Sequence, residues 1–161
     1  MTATLYDHDF YTWTQRQAEL LRVEEWEHLD WQNIAEEIEG LGKRDKRQVQ
    51  SRLVVLIAHL LKWEYQPSKR SPSWRKTVKA QRFRLALVLN DSPSLTVRVA
   101  EFAEAVYAYA VEHAADETGF DRKRFPVTCP YDVEQLLDPT FLPSERQREE
   151  ANADHGEGYE A

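Results

Sequence analysis

The chain has 161 residues, 42% of them apolar and 30% charged, with 5 glycines and a formal net charge of −7. This composition lies in the ordinary globular range, leans toward helix, and at this length suits one domain that buries roughly two thirds of its unfolded surface. Cys129 is the only cysteine, which excludes an intrachain disulfide and any zinc or redox site built from cysteine alone, and predicts a reducing compartment.

The first seven residues lack the basic and apolar regions of a secretion signal. Asp7 or Asp9 then caps a first helix whose Phe10, Trp13, Leu20 and Leu21 fall on one stripe, with Gln17 between them and an end near Arg22 or Val23. After a connector holding Trp26 and Leu29, Asp30 caps a second helix in which Trp31, Ile34, Ala35, Ile38 and Leu41 recur at helical spacing, and Gly42 is the expected stop. A third helix is predicted from about Arg44 to Tyr65. Val49, Leu53, Leu56, Ile57, Leu60 and Trp63 make its main face and Val54, Ala58 and Leu61 a second one, so neighbours on both sides make it the central helix. Its apolar run, Leu53 to Ala58 and then Leu60-Leu61, is far short of the ~20 residues that cross a bilayer.

Ser71-Pro72 and Ser92-Pro93 each put a hydroxyl at an N-cap and a proline at the first helical position, which predicts two more helix starts. The fourth helix carries Trp74, Val78, Leu85 and Leu89 and ends at Asn90-Asp91. The fifth carries Leu95, Val99, Phe102, Ala103, Val106, Tyr109 and Ala110 and stops at Gly119. From Phe120 to Pro143 four prolines leave only a short turn around Val133 to Leu137, in an arm pinned by Phe125, Tyr131, Phe141 and Leu142. Residues 144–161 hold Tyr159 as their one large apolar group and are expected to be a disordered tail. The expectation is therefore an all-α, cytoplasmic protein: a single bundle of five helices with an irregular packing arm over residues 1–143, then the tail.

Three stretches stand in order: Glu36-Glu37-Ile38-Glu39-Gly40-Leu41-Gly42, His59 to Pro67, and Ser73-Trp74-Arg75 with Gln81-Arg82. With Asp91 to Leu95, Glu117-Thr118-Gly119, Phe125-Pro126 and Cys129-Pro130-Tyr131, they make the chain similar to a helical bacterial family known as domain of unknown function number 29. The resemblance runs from residue 5 to 143 and implies an all-α fold and a bacterial origin. It carries no activity, cofactor or site residue with it.

Charge is strongly segregated. Residues 43–84 hold 13 Lys and Arg against Asp45 and Glu64, whereas residues 1–42 carry a net −8 and residues 85–161 a net −10. On the fourth helix Arg75, Lys79 and Arg82 recur at i, i+4 and i+7 and, with Lys69, Arg70 and Trp74, form a basic ridge suited to phosphate or carboxylate. The bland alternative is neutralisation by Glu101, Glu104 and Glu112 on the fifth helix. The ridge predicts an interaction or regulatory module with an acidic partner, either nucleic acid or protein. Trp13 and Tyr107 are candidates for surplus aromatic surface, and two-faced helices suit a homodimer.

A second reading is an enzyme in which His59, within an apolar run, meets Glu36 or Glu37 from the second helix and acts as a general base, with or without a metal. Glu25 with His28, and His113 with Asp116, have the i, i+3 spacing of di-metal bundles, but such a bundle wants two Glu-x-x-His pairs plus two further inward glutamates, whereas Glu25 falls in a connector and His113 is spaced with an aspartate. No metal or cofactor is called for by the main reading. Cys129, beside Pro130 in the arm, reads as packing.

Overall fold

The computed structural model describes residues 4–143, and the expected disordered tail, 144–161, lies outside the described residues. Among the described residues the protein is all-α, 80% of them helical, with six α-helices, four of them long, and no strand. Its contacts divide the chain into two compact units, Met1–Arg44 and Asp45–Ala161.

In the first unit, helix α1 is Leu5–His8 and α2 is Phe10–Arg22. Asp7 accepts from the Thr4 backbone N–H at 3.0 Å, and Asp9 accepts from Thr12 N–H at 2.9 Å, so each helix start has one of its free donors satisfied by a carboxylate. Trp13 is the buried centre of this unit. Tyr6 meets it edge-on at 4.9 Å and Phe10 stacks on it at 5.6 Å, while its indole N–H donates to Asp30 at 3.1 Å. Buried Gln17 accepts from the Asp30 backbone N–H at 2.8 Å, which fixes the residue that caps the next helix.

That next helix, α3, runs unbroken as Trp31–Tyr65. The stop expected at Gly42 is absent, and the predicted second and third helices are one. Neither Gly40 nor Gly42 takes the positive φ that a C-cap requires; Gly119 is the one described glycine with it. A helical glycine costs only about 1 kcal/mol, and no proline follows to break the ladder. An i, i+4 pair between Glu39 and Lys43, at 3.9 Å, spans the two glycines' turn. The expected core stripe on this early part of α3 is also not seen, since Trp31, Ile38 and Leu41 are exposed.

In the second unit the later half of α3 is buried on every side from Leu56 to Trp63, as two apolar faces require. Against it pack α4 (Pro72–Asp91), through Val78, Leu85 and Leu89, and α5 (Val99–Thr118), through Phe102, Val106, Tyr107 and a run of alanines. Ser71 caps α4 by accepting from Trp74 N–H at 3.2 Å. Ser92 does not cap α5. Its hydroxyl donates to Asp45 at 2.8 Å, and Pro93–Arg98 winds as a 3-10 helix, so α5 begins later than the Ser-Pro signal suggests. Gly119, at φ 73, ends α5.

The arm then returns over the core. Phe125 meets Tyr65 at 5.3 Å, the Tyr131 hydroxyl donates to Glu64 at 2.7 Å, and the Tyr107 hydroxyl donates to the Pro126 carbonyl at 2.8 Å. Helix α6, Val133–Leu137, buries Leu136 completely. No described helix is long and apolar enough to cross a membrane.

Candidate functional site: a cationic cleft at the start of α4

Where α3 ends, the segment Gln66 to Arg70 turns the chain so that the first turns of α4 lie beside Trp63. The resulting cleft, about 550 Å³, is lined by Trp63, Arg70, Ser71, Pro72, Arg75, Lys76 and Lys79. Its position follows from local chemistry: Pro67 and Pro72 interrupt one helix and preset the next, and Ser71 caps the start of α4 at the cleft wall.

Trp63, itself buried, organises the cations. The Arg70 guanidinium lies over its ring at 5.1 Å and the Arg75 guanidinium at 5.4 Å, while Arg70 Nε donates to the Trp63 carbonyl at 2.8 Å. Stacking on an aromatic ring restrains a guanidinium without using its N–H groups. Lys76 and Lys79 are exposed and add two mobile donors. Among the described residues that line the cleft none is a carboxylate. Two of the three α5 acids expected to neutralise these cations pair elsewhere: Glu101 with Arg98 at 2.9 Å and Glu112 with Arg122 at 2.7 Å.

The predicted ridge is only partly brought together. Arg70, Arg75 and Lys79 share the cleft; Lys69 is exposed on the adjoining 3-10 turn and does not line it. Trp74 points to other chemistry, with the Lys62 ammonium over its ring at 4.4 Å. Arg82 is a correction. It is 5% exposed and donates to three carbonyls of the arm: Leu136 at 2.9 Å, Phe141 at 2.7 Å and Gln135 at 2.8 Å. Burial lowers its pKa, partly offset by Asp138. The i+7 position of the ridge is thus an arm clamp rather than a ligand contact. Lys76 and Trp63 were missed because Lys76 falls off the 75/79/82 stripe and Trp63 reads as core.

The pairing of His59 with Glu36 or Glu37 is also corrected. All three stand on α3, the glutamates about six turns earlier, so no interhelical turn folds them back. Glu37 instead accepts from the Tyr6 hydroxyl, which pushes that phenol up to about 12. His59 Nδ1 lies 2.9 Å from the Val55 carbonyl, and because a carbonyl only accepts, the ring proton of the neutral form sits on Nδ1. Its surroundings are Lys62, Glu117 and His113, the last with ring centroids at 6.4 Å. Lys62 is buried and donates to Glu117. Burial, then the Lys62 charge, lowers the His59 pKa. For Glu117, burial pushes upward but the Lys62 hydrogen bond and charge prevail, and its pKa falls.

His28 meets Glu25 at 3.5 Å on an exposed turn, and His113 lies nearest Glu117, at 3.7 Å, rather than Asp116. Among the described residues no group of three or more His, Cys, Asp or Glu is placed to hold a metal ion. Trp13 and Tyr107, expected as surplus surface, are both buried. Cys129 is half-buried, its thiol donating weakly to the Tyr131 carbonyl at 3.6 Å, and burial raises its pKa.

These features define an all-α protein with one cationic, aromatic-floored cleft between its central helix and the next. The chain belongs to the family described as Domain of unknown function DUF29, whose model matches residues 5–142. Neither the curated proteins nor the solved structures gave a match.

Proposed function

We propose that the protein is a cytoplasmic interaction module that takes an acidic segment of a partner protein in the cleft beside Trp63. The observation that carries this reading is the convergence of Arg75, Lys76 and Lys79, with Arg70, on one concavity beside Trp63. The cations complement an oxyanion-rich ligand, and the Arg75 guanidinium stacked on Trp63 offers a planar fork to a carboxylate.

The shape favours a short peptide over a nucleic-acid duplex. A duplex carries charge along its whole length and would extend past a cleft of this size toward the rest of a chain with net charge −7. A peptide with a few carboxylates engages the cleft and little else.

The test is fluorescence anisotropy of a labelled oligoglutamate peptide and a labelled oligonucleotide with the full chain over a salt series. Peptide affinity is expected to fall steeply with salt and by at least about tenfold in Arg75→Glu, roughly the effect of reversing one charge-assisted contact. An absence of binding at low salt, or indifference to Arg75→Glu, removes the reading. Preference for the oligonucleotide moves the partner to the nucleic-acid class.

A further inference from the structure

We propose that the exposed face at the start of α3, carried by Trp31, Ile38 and Leu41, is the interface of a homodimer in which two copies of that helix pack antiparallel. The face belongs to the first unit, and the cleft beside Trp63 plays no part in it.

The first unit buries little of its apolar surface. Among its described residues Trp13 and Leu29 are the buried apolar side chains, whereas nine of the fourteen exposed large hydrophobics lie between Leu5 and Leu41. On α3 they are in register. Trp31, Ile38 and Leu41 are 58%, 63% and 55% exposed, and with partly buried Ile34 they follow one another at three, four and three residues, a stripe about 80° wide. Isolated exposed apolar residues are ordinary, but this spacing is the seam of a paired helix. Ala35 and Gly42 flank the stripe, and a Cβ built at Gly42 would meet nothing within 4 Å, so a second helix can approach the backbone closely there.

Charge selects a second copy and its direction. The seam is preceded by Glu24, Glu25, Glu27 and Asp30 and followed by Lys43 and Arg44. Parallel copies would set each charged end against its like. Antiparallel copies, related by a twofold axis midway between Ile34 and Ile38, bring the basic turn of each helix to the acidic start of the other. In that register Trp31 of one copy meets Leu41 of the other and Ile34 meets Ile38, so every apolar contact of the seam is made twice. The area is sufficient. The four side chains expose about 300 Å² of apolar surface per copy, and because apolar atoms make up about 60% of an interface, two copies bury about 1,000 Å² in all, the lower bound for a specific contact. A dissociation constant of about 10 μM suits that size.

Two measurements on the full chain test this. In sedimentation equilibrium the 18.9 kDa chain is expected to approach twice that mass at about 200 μM. Ile38→Glu and Leu41→Lys should each weaken the dimer by at least about tenfold, because each puts a charge in the seam. Both replace exposed side chains, so circular dichroism of either variant should match the parent. Phe83→Glu, which alters a 65% exposed residue of the second unit, should leave the dimer unchanged. A chain that is monomeric at about 200 μM, a dimer indifferent to both seam variants, or one equally weakened by Phe83→Glu overturns the proposal. The second measurement is zero-length carbodiimide coupling of an equal mixture of light and heavy nitrogen-labelled chains, read by mass spectrometry. Lys43 is expected to join Glu25 or Glu27 in mixed-label pairs, since within one chain the helical rise holds it about 18 Å from the start of α3. Its link to Glu39, 3.9 Å away in the same helix, should carry one label. If Lys43 joins Glu39 alone, the antiparallel arrangement is overturned.

Discussion

Replacing Arg82 by methionine should loosen the C-terminal arm and destabilise the second unit by about 3–5 kcal/mol. The guanidinium is almost fully buried and makes three hydrogen bonds to the carbonyls of Gln135, Leu136 and Phe141. A hydrogen bond to a charged group contributes about 1.5–3 kcal/mol, and three bonds from one side chain share their loss and do not simply add. Methionine keeps much of the apolar stem, so packing changes little and the cost comes from carbonyls left without a donor in a dry place. The assay is urea unfolding followed by far-UV circular dichroism, joined to hydrogen exchange at the amides of Leu136, Asp138 and Phe141. These amides bond within the arm itself and should exchange faster in the variant. A stability loss under about 1 kcal/mol with arm protection unchanged would refute the reasoning. The same variant separates two roles on one helix stripe: Arg75→Glu should weaken peptide binding with little effect on stability, and Arg82→Met the reverse.

The histidine beside Lys62 supplies a pH signature. Its folded pKa lies below the ordinary 6.5, so below that pH the unfolded chain binds the proton more readily. The stabilising contribution is full above about pH 6.5 and is lost as pH falls through the lower folded value. The charged and titratable groups around it are Lys62 on α3 with His113 and Glu117 on α5. Glu117, also lowered, adds a loss only below about pH 4.5. Urea midpoints between about pH 7 and 5 should therefore fall in the parent chain and flatten in His59→Asn, whose amide can still donate to Val55; a parallel fall in both would reject His59 as the source. In the first unit Glu24 holds φ 60, a left-handed conformation that costs a non-glycine residue about 1–2 kcal/mol. Glu24→Gly is expected to raise thermal stability by up to about 1 kcal/mol once the entropy of the unfolded glycine is subtracted, and a lowered melting temperature would count against strain there.

The Ser71-Pro72 start of α4, the Gly119 stop and the proline-broken arm were legible because each rests on backbone chemistry confined to a few residues. The two-faced apolar pattern likewise marked the later half of α3 as central. The reading failed where a local signal met a longer-range competitor. Gly42 permits a stop but does not impose one, and Ser92 gave its hydroxyl to Asp45 instead of to α5. The candidate site was half legible: Arg70, Arg75 and Lys79 follow from charge and helical spacing, whereas Lys76 and Trp63 join them only through the turn between α3 and α4.

Sequence by itself determined that this chain is helical, where most of its long helices' ends fall, and that its cations gather in residues 43–84, because propensity, capping and charge are properties of neighbouring residues. Only the tertiary structure decided what each cation does. Arg75 and Arg82 stand two turns apart on one stripe, yet one is left facing the cleft and the other is covered by an arm arriving from residues 135–141. Burial and hydrogen-bond partners are set by chain returning from a distance, and the spacing of residues along a single helix carries no record of it.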